Sequence, residues 1–213
     1  MWNRQIENRP MVETPPEGKQ ETRKRLLRCA KDEFLEKGFE KASLRRICQR
    51  AGLTTGAVYF FFDSKEDLFS QIVGDVARHL EELGRSLSSA ELNQPDIGVD
   101  CDIRFMEFLY RKRQEVLLLM EKSQKTRYAS FCEEVYSRMQ KTFLLFFQHY
   151  GVPEADPQLV RILVEMRMKG LLEILKGDYT MEQVLTLTRQ VGIYADSGFW
   201  QLAASMKQQL DKN

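Results

Sequence analysis

Apolar residues recur three and four positions apart along nearly the whole chain, and no useful stretch alternates with a period of two. That pattern predicts an all-α protein. The first clear stripe is Leu26, Leu27, Ala30, Phe34 and Leu35, in a helix expected over 21–37 and stopped by Gly38. A shorter stripe of Leu44, Ile47, Cys48 and Ala51 follows the N-cap candidate Ser43. It ends at Gly52, a residue that accepts the left-handed conformation of a helix terminus. Thr54 is a second N-cap candidate, so another short helix is expected at once, carrying Thr55 to Phe60. Asp63 or Ser64 then caps a long amphipathic helix through Leu68, Phe69, Ile72, Val76, Leu80 and Leu83. Turn formers crowd residues 86–100 and predict a hinge there. Further helices are expected over 101–112, 114–122, 126–149, 158–176 and 180–210, with Gly151, Pro153 and Pro157 as breakers.

Two short helices joined by a tight glycine-containing turn outline a helix-turn-helix, whose second helix enters the DNA major groove. The residues suit that role. Thr55, Gly56 and Ala57 are short enough for the backbone to approach the groove floor, and Thr54 and Tyr59 carry hydroxyls that can bond phosphate oxygens. Phe60 shares their helix, and Arg45, Arg46 and Arg50 add charge on the helix before it. The competing reading is an ordinary αα-hairpin of the core.

The run GLTTGAVYFFFDSKEDLF over 52–69 resembles the signature of the tetracycline-repressor (TetR, AcrR-like) family of bacterial regulators. Gly52, Leu53, Gly56, Tyr59, Phe62, Ser64, Lys65, Glu66, Leu68 and Phe69 match it. Phe61 departs from it, standing where the family usually has a histidine, and so loses a possible phosphate hydrogen bond. The resemblance implies a three-helix DNA-binding unit over 19–66, after a disordered tail over 1–18, and a larger helical ligand-binding and dimerisation domain over 67–213. It also implies that Lys65 meets a backbone phosphate, and that the long fourth helix links the two parts mechanically.

Charge supports the DNA reading. The chain carries a formal charge of only +1, yet residues 19–65 hold 12 Lys and Arg against 6 Asp and Glu. The positive excess therefore coincides with the proposed reading unit, as phosphate neutralisation requires. Composition excludes other classes. No apolar run reaches the roughly 20 residues of a membrane span, so no membrane partner is expected. The first twenty residues lack the apolar core of a secretory signal, and a cytoplasmic location is expected. The 4 cysteines form no CxxC pair and the 2 histidines lie far apart, so neither a metal site nor a disulfide framework is expected. With no phosphate-binding glycine loop, no H-E-x-x-H and no G-x-S-x-G, no cofactor and no catalytic residues are expected, and the protein reads as a non-enzyme.

The second half is rich in aromatic and methionine side chains. By the resemblance, Phe105, Met106, Leu109, Tyr110, Met120, Tyr128, Phe131, Phe143 and Phe147 are candidates to line a cavity for a small-molecule effector. Such a pocket suits a flat, apolar or aromatic molecule, and nearby Glu107, Glu115 and Glu165 can favour a cation or as easily face water. The same stripe can equally be plain core. Two wide apolar faces follow. Leu159, Ile162, Leu163, Met166, Gly170, Leu171 and Ile174 form one; Val184, Leu187, Val191, Tyr194, Phe199, Leu202 and Met206 form the other. They are the candidates for a four-helix contact between two copies, with internal packing of one face as the alternative. The expectation is a homodimeric regulator, most simply a repressor, that binds a palindromic double-stranded DNA operator. The alternative is a helical DNA-organising or protein-interaction dimer with no small-molecule effector.

Overall fold

Gly38 sets the first turning point of the structure. In this computed structural model, which describes residues 16–94 and 97–212, helix α1 (Pro16–Lys41) is broken at Gly38, where φ is 71° and ψ 164°. Only glycine adopts that geometry without strain. The break turns Phe39 inward, where its ring meets Phe34 at 5.9 Å and Phe69 at 5.4 Å. The helix expected over 21–37 therefore starts earlier and resumes past its break. Of the tail expected over 1–18, residues 1–15 lie outside the described residues, and residues 16–18 belong to the first turn of α1.

Helices α2 (Leu44–Arg50) and α3 (Thr55–Phe61) form the hairpin, and α4 (Lys65–Asn93) leads out of it. Then come α5 (Gly98–Arg111), α6 (Arg113–Glu121), α7 (Phe131–His149), α8 (Pro157–Lys176) and α9 (Met181–Leu210). Among the described residues there is no strand, so the fold is all-α, as the periodicity predicts.

Two boundaries differ from expectation. The hinge predicted over 86–100 is helical as far as Asn93, because Leu87 continues the apolar stripe of Leu80 and is itself buried. Serines beside a buried seam do not end a helix that tertiary packing holds. Helix α7 starts at Phe131 and not near 126. Ser123 donates its hydroxyl to the Leu119 carbonyl at 2.8 Å, Thr126 donates to the Ser123 carbonyl at 2.7 Å, and Lys125 sits at φ 62°. These local bonds compete with the helical ladder and hold the segment as a turn.

One apolar cluster runs from Leu26, Phe34, Ile47 and Phe69 through Met106, Leu118 and Phe131, so the core is continuous across residues 66 and 67. A second cluster, including Phe147, Val160, Val164 and Ala203, holds α7, α8 and α9 together. The end of α1 is tied to the segment after α6. Phe39 donates its backbone N–H to the Lys122 carbonyl at 3.2 Å, and Lys31 meets Glu115 at 3.1 Å. No helix among the described residues is long and apolar enough to cross a membrane.

Candidate DNA interface and ligand cavity

The hairpin is held from inside by few contacts. Gly52 takes φ 65° in the turn, and the Leu53 N–H closes it on the Cys48 carbonyl at 2.9 Å. Val58 and Phe62 anchor α3 in the core. The opposite face is left to solvent. Thr54, Thr55 and Gly56 are exposed, Ala57 is half-buried, and Tyr59 and Phe60 are 60% and 66% exposed. Thr54 precedes α3 in extended conformation, but its hydroxyl makes no capping bond. The Lys19 ammonium lies 5.5 Å from the Phe60 ring centre, so the start of α1 flanks this face. Phe61, in the position of the family histidine, is half-buried and packs edge-on against Phe60 at 4.9 Å.

The arginines of α2 divide into two kinds. Arg45 is exposed on the outer side. Arg46 and Arg50 instead turn back to α1, where Glu33 is wholly buried. The Glu33 carboxylate accepts the Ser43 N–H at 3.1 Å and Arg46 Nε at 2.8 Å, and Arg50 Nη1 stands 3.8 Å from its second oxygen. Arg50 also donates to Glu36 at 3.0 Å, and that bond holds the Glu36 carboxyl below its ordinary value. A buried carboxylate thus fixes the entry to α2. Charge counting credits Arg46 and Arg50 to DNA; their pairing assigns them to the scaffold.

Lys65 needs the same correction. Its ammonium donates to the carbonyls of Phe39, Glu40 and Ala42 at 2.8, 3.2 and 3.2 Å, and lies 4.5 Å from the Phe39 ring centre. An ammonium has three hydrogens, and all three are engaged. Burial also pulls its proton affinity below that of an ordinary lysine. The lysine at the start of α4 closes the open end of α1, which leaves no donor for the expected phosphate.

The second half of the molecule contains two adjoining cavities, of about 410 and 320 Å³. Of the residues expected to line a pocket, Phe105 and Phe143 face the larger cavity, and Phe105, Leu109, Met120 and Phe131 face the smaller. The other candidates lie elsewhere. Met106 is wholly buried in the first core cluster, and Phe147 is buried in the second, with Phe199 at 4.7 Å. Tyr110 donates its hydroxyl to the Tyr179 carbonyl, outside both cavities. Tyr128 packs against α4 at Gly74, where an added methyl would stand 3.1 Å from its hydroxyl. Helical spacing marks apolar positions, but not which of them border empty space.

The sequence reading missed the polar side of the larger cavity. Glu91 from α4, Asp102 from α5, Arg167 from α8 and Asp196 from α9 all line it, and Arg167 donates to Asp102. Of the two roles open to Glu107, Glu115 and Glu165, the structure favours the one away from the pocket: Glu107 and Glu115 pair with Arg111 and Lys31, and Glu165 lines neither cavity. Burial pushes the Glu91 carboxyl up to about 7, opposed by Arg167 and reinforced by Asp102 and Asp196. Asp102 and Asp196 are also raised by burial, again opposed by Arg167. Gly98 makes the close approach possible: a methyl there would lie 2.6 Å from Asp196 Oδ2 and 3.1 Å from Glu91 Oε1.

The faces expected to pair two copies divide as well. Ile162, Met166, Val191 and Tyr194 are exposed, Tyr194 at 75%, and Ile193 and Trp200 join them unforeseen. Space is open beside Gly170. Leu159, Leu163 and Leu202 are half-buried against the second core cluster, and Leu187 against the first, so these four serve internal packing. Leu163, Met166, Val191, Tyr194 and Leu202 also form part of the wall of the larger cavity.

Similarity to known proteins agrees with this layout. The sequence pattern of bacterial regulatory proteins of the tetR family matches residues 26–72, from α1 into α4. The chain is 40% identical over 173 residues to the HTH-type transcriptional regulator AcrR of Shigella flexneri, covering 72% of this chain and 78% of that protein. It is 38% identical over 76 residues to the HTH-type transcriptional repressor BepR of Brucella suis, where the match spans 36% of this chain and only 35% of the repressor. A crystal structure of a TerR/AcrR-family transcriptional regulator from Aquifex aeolicus superposes with a TM-score of 0.52 at 26% identity, covering 79% of this chain and 96% of the other. The helix-turn-helix, the helical domain behind it and the extent of the AcrR match agree: the chain belongs to the tetR family of bacterial regulatory proteins.

Proposed function

We propose that this protein is a homodimeric transcriptional repressor that leaves a palindromic operator when a small apolar or aromatic molecule enters its helical domain. In this reading residues 19–66 are the DNA-binding unit and residues 67–213 the ligand-binding and dimerisation domain. The observation that carries it is the outer face of α3: Thr54, Thr55, Gly56, Tyr59 and Phe60 turn to solvent while Val58 and Phe62 hold the helix from behind. Arg45 and Ala57 complete the proposed contact surface. BepR of Brucella suis is a transcriptional repressor, which supports this direction of regulation.

Two copies are read as pairing through α8 and α9, whose exposed Ile162, Met166, Val191 and Tyr194 otherwise face water. A second copy there would roof the larger cavity, so effector binding and the spacing of the two reading heads become linked. Helix α4 borders both cavities at Gly84 and Ser88 and begins beside α3. Helix α6 offers a second route, because Val116 and Met120 border the smaller cavity while Glu115 and Lys122 hold α1. A ligand that prefers the arrangement with misplaced reading heads weakens DNA binding by its differential affinity, and DNA weakens the ligand equally.

Capture of genomic fragments by the purified protein tests the reading. The retained fragments are expected to share an inverted repeat, and Thr55→Ala is expected to reduce the preference for it. Failure to retain any duplex at low salt would overturn the proposal.

A further inference from the structure

We propose that Glu33, a buried carboxylate on α1, sets the sequence discrimination of the reading unit by withholding Arg46 and Arg50 from the DNA backbone. Glu33 touches no DNA in this scheme; it is a positioning residue that acts through two arginines. The inference rests on the reading of α2 and α3 as the DNA-contacting hairpin.

The burial of Glu33 is the first observation. Among the described residues it is the only charged one with no exposed surface. Its Oε1 accepts the Ser43 N–H at 3.1 Å, and the Arg46 guanidinium meets the same oxygen at 2.8 Å from Nε and 2.6 Å from Nη2. Its Oε2 accepts no hydrogen bond among the described residues, and Arg50 Nη1 stands 3.8 Å from it. Fixing the start of α2 requires only an acceptor for the Ser43 N–H, which a neutral oxygen supplies. Two guanidiniums gathered on one carboxylate go beyond that need.

The place of those guanidiniums is the second observation. Arg46 and Arg50 lie one turn apart on α2, and their side chains are 46% and 39% exposed. They are surface cations held from inside. The first helix of a helix-turn-helix crosses the DNA backbone, so both belong to an element that passes the phosphates. Arg45, next to Arg46, is turned outward and exposed.

The grip of Glu33 exceeds that of the other partners. Arg46 Nη2 also reaches the Lys41 carbonyl, at a long 3.3 Å, and the Arg50–Glu36 pair is open to solvent on both sides. An exposed pair is weak and is screened by salt. A carboxylate sealed from water is screened far less, and drawing a guanidinium off it leaves a buried charge uncompensated. A DNA phosphate must therefore compete with Glu33 for each arginine, whatever bases lie beside it. Phosphate contacts add affinity on every sequence alike, whereas base contacts separate one sequence from another. By holding back two cations in each subunit, Glu33 keeps non-specific binding low and leaves discrimination to Arg45 and α3.

The test is the salt dependence of binding by the full-length protein, followed by fluorescence anisotropy on a random-sequence duplex and on the captured fragments. Glu33→Gln keeps the size of the side chain and an oxygen for the Ser43 N–H, and removes the charge. It is expected to hold the random duplex more tightly at low salt. Each arginine released steepens the slope of log affinity against log salt by about 0.9 per subunit. That widens the change in affinity between about 50 and 200 mM salt roughly three- to fourfold per arginine and subunit. Preference for the captured fragments over the random duplex falls with it. Glu33→Gln combined with Arg46→Gln and Arg50→Gln is expected to return the slope to that of the unaltered protein. Arg50→Gln alone leaves Glu33 and Arg46 in place and is expected to keep the slope unchanged, which tests the clamp even where Glu33→Gln fails to fold. A folded Glu33→Gln variant with an unchanged or shallower slope overturns the inference and makes Glu33 part of the scaffold alone. So does a slope that Arg50→Gln lowers by about 0.9 per subunit. Failure of the unaltered protein to bind either duplex overturns it together with the DNA reading.

Discussion

Lys65 separates a scaffold role from a DNA role most cleanly. Lys65→Met keeps the length and apolar stem of the side chain and removes only the ammonium. Three carbonyls, those of Phe39, Glu40 and Ala42, then lose their charged donor, and the contact with the Phe39 ring is lost as well. A hydrogen bond to a charged group contributes about 1.5–3 kcal/mol when buried. Here the three bonds share one partly exposed ammonium, so the expected loss is smaller than their sum, about 2–4 kcal/mol. At a typical dependence of about 2 kcal/mol per molar urea, the unfolding midpoint should fall by about 1–2 M. DNA binding should respond differently. A phosphate contact contributes about 0.9 to the slope of log affinity against log salt, and Lys65 has no hydrogen left for one. The slope, measured by fluorescence anisotropy on a captured DNA fragment, is expected to match that of the unaltered protein. A slope shallower by about 0.9 per subunit, with an unchanged urea midpoint, would refute the reasoning and return Lys65 to the phosphate backbone.

The remaining expectations concern Glu91, the α2 arginines and the α8–α9 face. The native chain holds the Glu91 proton more tightly than the unfolded chain, so this contribution to stability is complete below the usual carboxylate value of 4.5 and is lost as pH rises through about 7. It amounts to about 3 kcal/mol at most, and Glu91→Gln should stabilise the protein at about pH 8 and flatten the pH dependence of urea unfolding; an unchanged dependence would show that Glu91 ionises freely. Arg45→Ala should leave the urea midpoint unchanged and relax sequence preference by about 1–3 kcal/mol, whereas Arg46→Ala, which strips Glu33 of its nearest partner, should cost stability; the reverse pattern would exchange their roles. Met166→Glu combined with Tyr194→Glu should give monomers by sedimentation and a large loss of operator affinity, and an intact dimer would place the contact elsewhere.

Local rules carried much of this protein. Helical period, the glycine at position 52 and the caps at Ser43 and Ser64 depend on neighbours within one turn, and these were readable in the sequence, as was the outward face of α3. The end of α4 was not readable, because the serines after Leu83 break a helix only where nothing packs on it, and buried Leu87 does pack. The partners of charged residues were decided by the tertiary structure alone. Arg45 and Arg46 are adjacent and alike in sequence, yet one faces solvent and the other a buried carboxylate supplied by α1. Lys65 reads as a phosphate ligand until the end of α1 brings three carbonyls to it. Glu91, Asp102, Arg167 and Asp196 come from four helices and share no spacing that a linear pattern can reveal. Helix formation needs only short-range bonds, whereas the charge and shape of a cavity arise from residues that meet only once the chain has closed on itself.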